Sequence, residues 1–189
     1  MKRLISLILL SYCGVVLANN REALRYIGFD LGKVFSKHHI LTNRDEFWSR
    51  QTSKYINVYV GYKLGDYASF EFGGFKGGPY LRPERMAKTN IDGLHMGFVF
   101  FLPILKNLSL IPGMGMTQVN IHSSELSAYN MKNRGIVPRL LVGAQYHITK
   151  ELHFRSSIVW HRMSSIYSHQ LTYNKTLQAG IGLNYSIRP

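Results

Sequence analysis

The segment "LQAGIGLNYSIRP" at residues 177–189 decides the fold prediction, because apolar and polar residues alternate along it without interruption. A period of two residues is that of a β-strand with one apolar face. A chain end is usually frayed and exposed, so this apolar face requires a cover. The apolar positions are Leu177, Ala179, Ile181, Leu183, Tyr185 and Ile187, and those between them are Gln178, Gly180, Gly182, Asn184, Ser186 and Arg188.

The first residues, "MKRLISLILLSYCGVVLA", predict a secretory signal peptide. Lys2 and Arg3 give it a basic start, an apolar run follows, and small residues precede the predicted cleavage after Ala18. The apolar run is too short to cross a bilayer as a helix. We therefore expect residues 1–18 to be a cleaved signal peptide and residues 19–189 to form one exported domain.

Cysteine content and charge narrow the class of protein. The only cysteine, Cys13, lies in the predicted signal peptide, so the exported chain cannot be a disulfide scaffold. Tyr12 stands where a lipidation site carries a small residue, which disfavours acylation of Cys13. The net charge of +13 predicts attraction to polyanions. For an exported protein these include phosphorylated lipid headgroups, and we expect no nucleic-acid partner.

Alternating segments recur along the exported chain and are separated by connections of two lengths. The segments lie at 24-35, 54-64, 67-76, 91-102, 107-119, 136-148, 151-162 and 176-188. Long connections (36-53, 77-90, 120-135 and 163-175) alternate with short ones (65-66, 103-107 and 149-151). This sorting of loops is typical of an outer-membrane barrel. We predict an all-β fold, an eight-stranded antiparallel up-and-down transmembrane β-barrel.

The parity of the strands decides which face meets lipid. In the segment 54-64, Ile56 and Val58 share one side and Asn57 the other. An inward apolar side would give a water-soluble, lipocalin-like barrel, whereas an outward one gives a lipid-facing wall around polar residues. The loop sorting favours the outward arrangement, and a soluble sandwich remains the alternative. Hydrocarbon cannot satisfy free backbone groups, so we expect the last strand to pair with the first.

The positions of the aromatic residues agree with an outward apolar face, whereas Pro112 and Lys33 fit this arrangement less well. Tyrosines are expected on the outward face near the lower, periplasmic interface and a tryptophan near the upper one, at Tyr62, Tyr146, Tyr185 and Trp160. Pro112 removes a ladder hydrogen bond, so a bulge or a shortened pairing is expected there. Lys33 faces outward, where a cation costs ~2 to 4 kcal/mol at the midplane, so it is expected high on the first strand.

Five segments resemble the eight-stranded transmembrane domain of OmpA-type outer membrane proteins. They are "RYIGFDLGKVF", "YASFEFGGF", "FFLPILKNLSLIPGMG", "LLVGAQYHITKELHFRSSIVW" and "LQAGIGLNYSI". The ending also resembles the signal read by the barrel-assembly machinery, in Gln178, Gly180, Leu183 and Tyr185. The resemblance implies the outer membrane of a Gram-negative bacterium and insertion by that machinery. The family's peptidoglycan-binding domain is not expected, since no residues follow the last strand.

The resemblance also implies a network of opposed charges inside the barrel, with Glu71 and Arg155 at paired positions. Buried charges need partners, so we expect these two side chains to be hydrogen-bonded to each other. Parity adds Asp30, Lys63, Arg139, Gln145, His95, His147 and His153 to the interior. Gln145 stands where the family has an acid, and Gly113 where it has a base. The lumen of such a barrel holds only side chains, so no constitutive channel is expected. A polar core that fills the barrel and a small gated pore both remain open.

The segment "WHRMSSIYSHQ" is the strongest enzyme candidate. His161 and Ser164 resemble in part the histidine and serine of barrel lipid A deacylases and palmitoyl transferases, where a base activates a hydroxyl. Their spacing is three residues where the deacylase pattern has two, and no acid follows Glu151. We predict no enzyme and keep a lipid A modifying enzyme as the alternative. His38 and His39 lack ligand spacing, so no metal or cofactor is expected.

The second long connection is the most basic stretch outside the signal peptide. Lysine and arginine bind phosphates through charge-assisted hydrogen bonds, so this stretch is expected to contact lipopolysaccharide. The residues are Lys76, Arg82, Arg85 and Lys88. The sequence predicts a structural or surface-interaction protein whose partners are outer membrane lipid and lipopolysaccharide. Its outer loops are the expected contact sites for host molecules or phage.

Overall fold

The computed structural model describes residues 25–41, 46–82, 87–124, 130–163, 167–168 and 171–187. Side-chain environments are described for 25–35, 52–78, 90–122, 134–163 and 176–187. The predicted signal peptide and its cleavage site lie outside the described residues. No helix among the described residues is long and apolar enough to cross a membrane.

The described elements are all β-segments, numbered here in chain order. They are β1 (Arg25–Leu41), β2 (Glu46–Lys63), β3 (Ala68–Arg82), β4 (Ala87–Phe100), β5 (Leu102–Leu105), β6 (Leu108–Leu110), β7 (Gly113–Ser124), β8 (Asn130–His147), β9 (Leu152–Arg162), β10 (Tyr167–Ser168) and β11 (Leu171–Ile187). β5 continues β4 and β7 continues β6, so the wall consists of eight antiparallel strands, and β10 pairs only with the upper end of β11.

The sheet closes because β11 pairs antiparallel with both β1 and β9. The β1–β11 ladder extends from Arg25 opposite Ile187 to Ile40 opposite Leu171. The prediction that the last strand pairs with the first is therefore confirmed, and so is the eight-stranded antiparallel barrel. Closure leaves no free strand edge in the described membrane-spanning wall, as hydrocarbon requires.

Side-chain burial confirms that the apolar face points outward in the part of the wall next to the short turns. Ile181 is 58% and Tyr185 is 53% exposed, whereas Gln178 and Asn184 on the other parity of β11 are buried. Tyr62, Tyr146 and Tyr185 lie on the outward face close to these turns, at the end we call lower. Trp160 lies on the outward face near the upper end of β9.

The predicted strand ends are wrong at the upper end. Most of the residues expected in long connections, at 36-53, 77-90, 120-135 and 163-175, are paired strand. We call this upper part of the wall the upper extension: residues 34–41, 46–55, 75–82, 87–93, 117–124, 130–138, 161–163 and 171–176. On β7, where side chains are described up to His122, Val119 and Ile121 face inward and Asn120 faces outward. The pattern used to find strands therefore stops there, although the ladder continues.

The interior is less polar than parity predicted, because it contains two apolar clusters. The upper cluster lies in the lumen of the upper extension and consists of Val34, Tyr55, Phe75, Ile91, Val119, Ile121, Val137 and Met163. The lower cluster packs beside the buried polar residues and consists of Tyr26, Tyr59, Val99, Phe101, Ile111, Leu141 and Val159. The described polar interior therefore has an apolar layer above it.

Pro112 shortens a strand but causes no bulge. It lies with Ile111 between β6 and β7, and both segments pair with β8 in the same register, Leu110 opposite Ala144 and Gly113 opposite Leu141. The Pro112 carbonyl accepts a hydrogen bond of 2.8 Å from the Phe100 N–H. The ring removes one donor while the neighbouring ladders remain aligned.

Lys33 lies on the outward face of β1, as expected from parity, but not at the end of the strand. β1 continues beyond it to Leu41. Lys33 is exposed, and its cross-strand partners are Lys54 on β2 and Ala179 on β11.

Candidate functional sites in the lumen and on the outer wall

An ion pair between Glu71 on β3 and Arg155 on β9 crosses the lumen. The Glu71 carboxylate accepts two hydrogen bonds from the guanidinium, from Nη1 to Oε1 at 2.5 Å and from Nη2 to Oε2 at 3.3 Å. The side chains are 0% and 1% exposed. The Tyr26 hydroxyl donates to Oε1 at 2.7 Å, and the guanidinium lies 4.7 Å from the centre of the Tyr59 ring. Two-pronged geometry with additional contacts offsets the cost of burying both charges.

Asp30 on β1 is the second buried carboxylate of the described interior. It accepts hydrogen bonds from the Asn57 amide at 3.1 Å and from the Tyr59 hydroxyl at 3.4 Å. The Asn57 amide oxygen lies 2.8 Å from Nε2 of His95. Asp30 is thereby joined to residues of β2 and β4 within one polar network.

The same network extends to β11 and β8. The Tyr59 hydroxyl also contacts the amide oxygen of Asn184, whose amide nitrogen donates to Gln145 at 3.0 Å. At the lower end, Nε2 of His153 lies 3.0 Å from the Ser186 hydroxyl. The polar residues of the lumen thus connect several strands of the wall by direct side-chain contacts.

The other predicted interior residues that can carry positive charge are Arg139, Lys63 and His147. Arg139 is buried, and its Nη1 has no hydrogen-bond partner among the described residues. Lys63 is near the lower turn, where its ammonium group lies 5.7 Å from the centre of the Phe101 ring. His147 lies beside His153 at that end, with 4.6 Å between ring centroids.

Only one of the two candidate catalytic residues belongs to the described part of the chain. His161 is buried in the lumen, where its Nε2 lies 3.1 Å from the Thr117 hydroxyl and its ring stacks on Phe75 at 5.7 Å. Ser164 lies outside the described residues. His38 and His39 belong to β1 and not to a loop. The described part of the chain contains no group of three or more residues arranged to hold a metal ion.

The basic stretch expected in the second loop is mostly strand, which corrects that prediction. Lys76 is exposed on β3 and pairs in register with Asp92 on β4. Arg82 is the last residue of β3 and Lys88 belongs to β4. Arg85 lies outside the described residues.

Two walls of the barrel differ in their outward charges, a feature that sequence reasoning missed. The cationic wall, formed by β9, β11, β1 and β2, exposes Lys33, Lys54 and Arg162. The mixed-charge wall, formed by β3, β4, β7 and β8, bears Lys76, Asp92, Asn120, His122 and Arg134. On the mixed-charge wall, Nε2 of His122 lies 3.2 Å from Oδ1 of Asp92. Cross-strand register brings these groups together, and a single sequence does not give that register.

Solved structures with the same architecture come from several bacteria. Neisserial surface protein A matches with a TM-score of 0.64 at 11% identity, over 86% of this chain and 97% of that chain. Ail, the attachment invasion locus protein of Yersinia pestis, has a TM-score of 0.55 at 12% identity, over 88% and 99%. The N-terminal β-barrel domain of OprF from Pseudomonas aeruginosa has a TM-score of 0.56 at 14% identity, over 86% and 97%. At these identities the likeness shows the fold alone.

The family follows from a comparison of sequence. No curated protein gives a significant match to this chain. The family model of the OmpA-like transmembrane domain matches residues 20–188. This chain therefore belongs to the OmpA-like transmembrane domain family, and it is a β-barrel of the Gram-negative outer membrane.

Proposed function

We propose that this protein is a non-enzymatic barrel with a structural or surface-interaction role, in envelope integrity, adhesion or contact with lipopolysaccharide through its outer surface. The observation that carries the proposal is that a buried ion pair and a buried apolar cluster both occupy the described lumen. The Glu71–Arg155 ion pair crosses it, and the upper cluster lies above that pair. When fixed side chains occupy the interior of a small barrel, other molecules can bind only to its outward surface.

The interior polar residues have a structural role in this proposal. Asp30, Glu71, Arg139, Arg155 and Lys63 hold the strands together by hydrogen bonds and charge attraction across the lumen. Support comes from the bidentate hydrogen bonding between Glu71 and Arg155, which joins two strands that are not neighbours in the sheet. A gated pore is the alternative, and it would require both this contact and the upper cluster to move.

Contact with lipopolysaccharide is the surface interaction that the charges favour. The chain has a net charge of +13, and Lys76 is exposed on its outward face. In the proposal, Lys76, Arg82, Arg85 and Lys88 bind its phosphates. Ail has also been solved in complex with the heparin analogue sucrose octasulfate, with a TM-score of 0.52 to this chain at 12% identity, over 88% and 99%. That ligand is a polyanion, as lipopolysaccharide is.

In this proposal the protein is first exported from the cytoplasm. Cleavage after Ala18 leaves residues 19–189 as a single barrel domain, which the barrel-assembly machinery inserts into the outer membrane. The sequence Gln178 to Tyr185 on β11 is the proposed recognition segment. No enzymatic activity and no cofactor form part of this proposal. Host molecules or phage are further proposed ligands of the outer loops.

One preparation tests the proposal against both alternatives. The barrel is refolded into phosphatidylcholine vesicles, and its folding is checked by the heat-dependent shift in electrophoretic mobility. We expect it to bind lipopolysaccharide, with an affinity that falls as salt is raised because phosphate contacts are screened. We also expect no discrete conductance steps in planar bilayers and an unchanged mass spectrum of added lipid A.

Each alternative has its own positive result. Conductance steps that change in an Arg155→Met variant would establish the pore. Lipid A that loses or gains an acyl chain, in a manner abolished by His161→Ala, would establish the enzyme. Failure of lipopolysaccharide to bind at low salt would overturn the proposed surface interaction.

A further inference from the structure

The cationic wall places like charges side by side. Lys33 on β1 and Lys54 on β2 are direct cross-strand partners, and both are exposed on the outward face. Like charges directly opposite each other in a ladder repel and destabilise the sheet. Higher on the same strands, backbone register pairs Lys37 with Arg50 and Lys175, and Lys175 with Arg162. An anion between such pairs would convert repulsion into attraction.

No acid compensates these cations on the described outward face of the same four strands. Within 25–35, 52–64, 152–162 and 176–187, the outward side chains include no aspartate or glutamate. The mixed-charge wall differs, since Lys76 pairs in register with Asp92, which also contacts His122 and accepts a hydrogen bond of 2.9 Å from Asn120. Among the described outward side chains, the cations of the cationic wall therefore have no acid beside them, whereas Lys76 on the mixed-charge wall has Asp92 as its cross-strand partner.

A shallow apolar groove adjoins Lys33 of the cationic pair. It has a volume of about 590 Å³ and follows the membrane-facing surface across β8, β9, β11 and β1. Lys33 lines it together with bulky apolar residues: Leu31, Phe35, Val142, Ile158 and Ile181. Ala179, which pairs in register with Lys33, also lines the groove. A groove with a cation at one side suits a molecule that carries an anionic group on a hydrocarbon chain.

We propose that this surface binds lipid A, the phosphorylated lipid portion of lipopolysaccharide in the outer leaflet. A phosphate lies between Lys33 and Lys54, and one acyl chain lies in the groove. The inference rests on the proposed contact with lipopolysaccharide, but it places the main contact on the cationic wall and not on the β3–β4 hairpin. Charge-assisted hydrogen bonds from the two ammonium groups give the preference for phosphate. Hydrocarbon already surrounds the wall, so the groove contributes close packing and orientation.

The test is a titration of the folded barrel in detergent micelles with bis-phosphorylated lipid A. The site variants are the double substitution Lys33→Gln with Lys54→Gln, and Ala179→Trp, which fills the groove without changing charge. The control is Arg134→Gln, which removes one exposed cation from the mixed-charge wall at a residue outside both proposed contacts. Lys76→Gln tests the alternative contact on the β3–β4 hairpin. Folding of each variant is verified by its heat-dependent mobility shift, so loss of binding is separated from loss of fold.

We expect the double variant to bind lipid A about tenfold more weakly, as loss of two charge-assisted contacts to phosphate implies. Ala179→Trp weakens binding severalfold, and Arg134→Gln changes it by less than about twofold, since a solvated cation away from the site contributes little. Lipid A stripped of its phosphates binds the wild-type barrel no better than the double variant binds intact lipid A.

The outcomes separate this inference from the proposed function. If the wild-type barrel binds no lipid A, both fail. If it binds, and the double variant binds equally well while Lys76→Gln does not, the surface role stands and the cationic-wall site is wrong. Equal binding of dephosphorylated lipid A would overturn the phosphate contact, and equal binding of phosphatidylglycerol would overturn the choice of lipid A.

Discussion

The membrane-spanning part of the wall and the upper extension are built from the same strands with opposite polarity. On β7, the exposed outward residues in the membrane-spanning part are Met114 and Met116. A few residues further along, Val119 and Ile121 are buried in the lumen, and Asn120 faces outward. The ladder to β8 continues through both parts in one register. Backbone pairing therefore does not depend on which face is apolar.

The difference between the two parts follows from what surrounds them. Hydrocarbon around the lower part favours apolar side chains outside, and the charged groups collect in the lumen, where they satisfy one another. The upper cluster has the arrangement of a soluble barrel, with apolar residues packed inside, which water around the upper extension would favour. The upper cluster and the Glu71–Arg155 pair are thus two solutions to filling one lumen.

The largest effect is expected from unpairing the charge in the membrane-spanning part. Arg155→Met leaves the Glu71 carboxylate buried without its cation, which should lower the free energy of unfolding by about 3 to 5 kcal/mol. Urea titration of the barrel in lipid vesicles measures this change. The double variant with Glu71→Gln removes both charges and should recover a large part of the loss. A single variant as stable as wild type would mean that the pair is not desolvated.

The next effect locates the boundary between the two parts on β7. Met114→Lys places a cation on the lipid-facing surface and should cost about 2 to 4 kcal/mol, whereas Asn120→Lys in the upper extension should cost less than about 1 kcal/mol. The same urea titration compares them, and both substitutions add the same charge on the same face. If the two substitutions lowered the free energy of unfolding equally, Met114 and Asn120 would lie in the same environment. The distinction between the membrane-spanning part and the upper extension would then be wrong.

The smallest effect concerns the outward ion pair of the upper extension. Asp92 and His122 are 37% and 43% exposed, so water screens their attraction. Asp92→Asn should lower the free energy of unfolding by less than about 1 kcal/mol. A double-mutant cycle with His122→Gln isolates the pairwise energy. A coupling above about 2 kcal/mol would show that this surface is not solvated as a water-exposed extension must be.

The sequence allowed prediction of the features that depend on alternation alone. Ile181 and Tyr185 are exposed on the predicted face of β11, and Pro112 interrupts a strand as its missing donor requires. Features that depend on the register between strands could not be predicted from one sequence. The neighbourhood of Lys33 and Lys54 follows only from the β1–β2 ladder, since these residues lie far apart in sequence.

The strand ends were missed for a different physical reason. Past Met116 the apolar residues of β7 change from the outward to the inward face, so a search for one continuous apolar side ends there although pairing continues to Ser124. Ile91 at the upper end of β4 shows the same reversal, because it is buried in the upper cluster. A search that permits one change of parity along a strand would have found both segments.

The ion pair between Glu71 and Arg155 also has a consequence for the order of assembly. β3 and β9 are not neighbours in the sheet, and they face each other only when β1 and β11 have joined. The bond therefore cannot form in an open sheet. An interaction that appears only after the rate-limiting step slows the reverse reaction without accelerating the forward one. Where closure is the slow step of assembly, the pair is expected to lengthen the lifetime of the closed barrel without accelerating its formation.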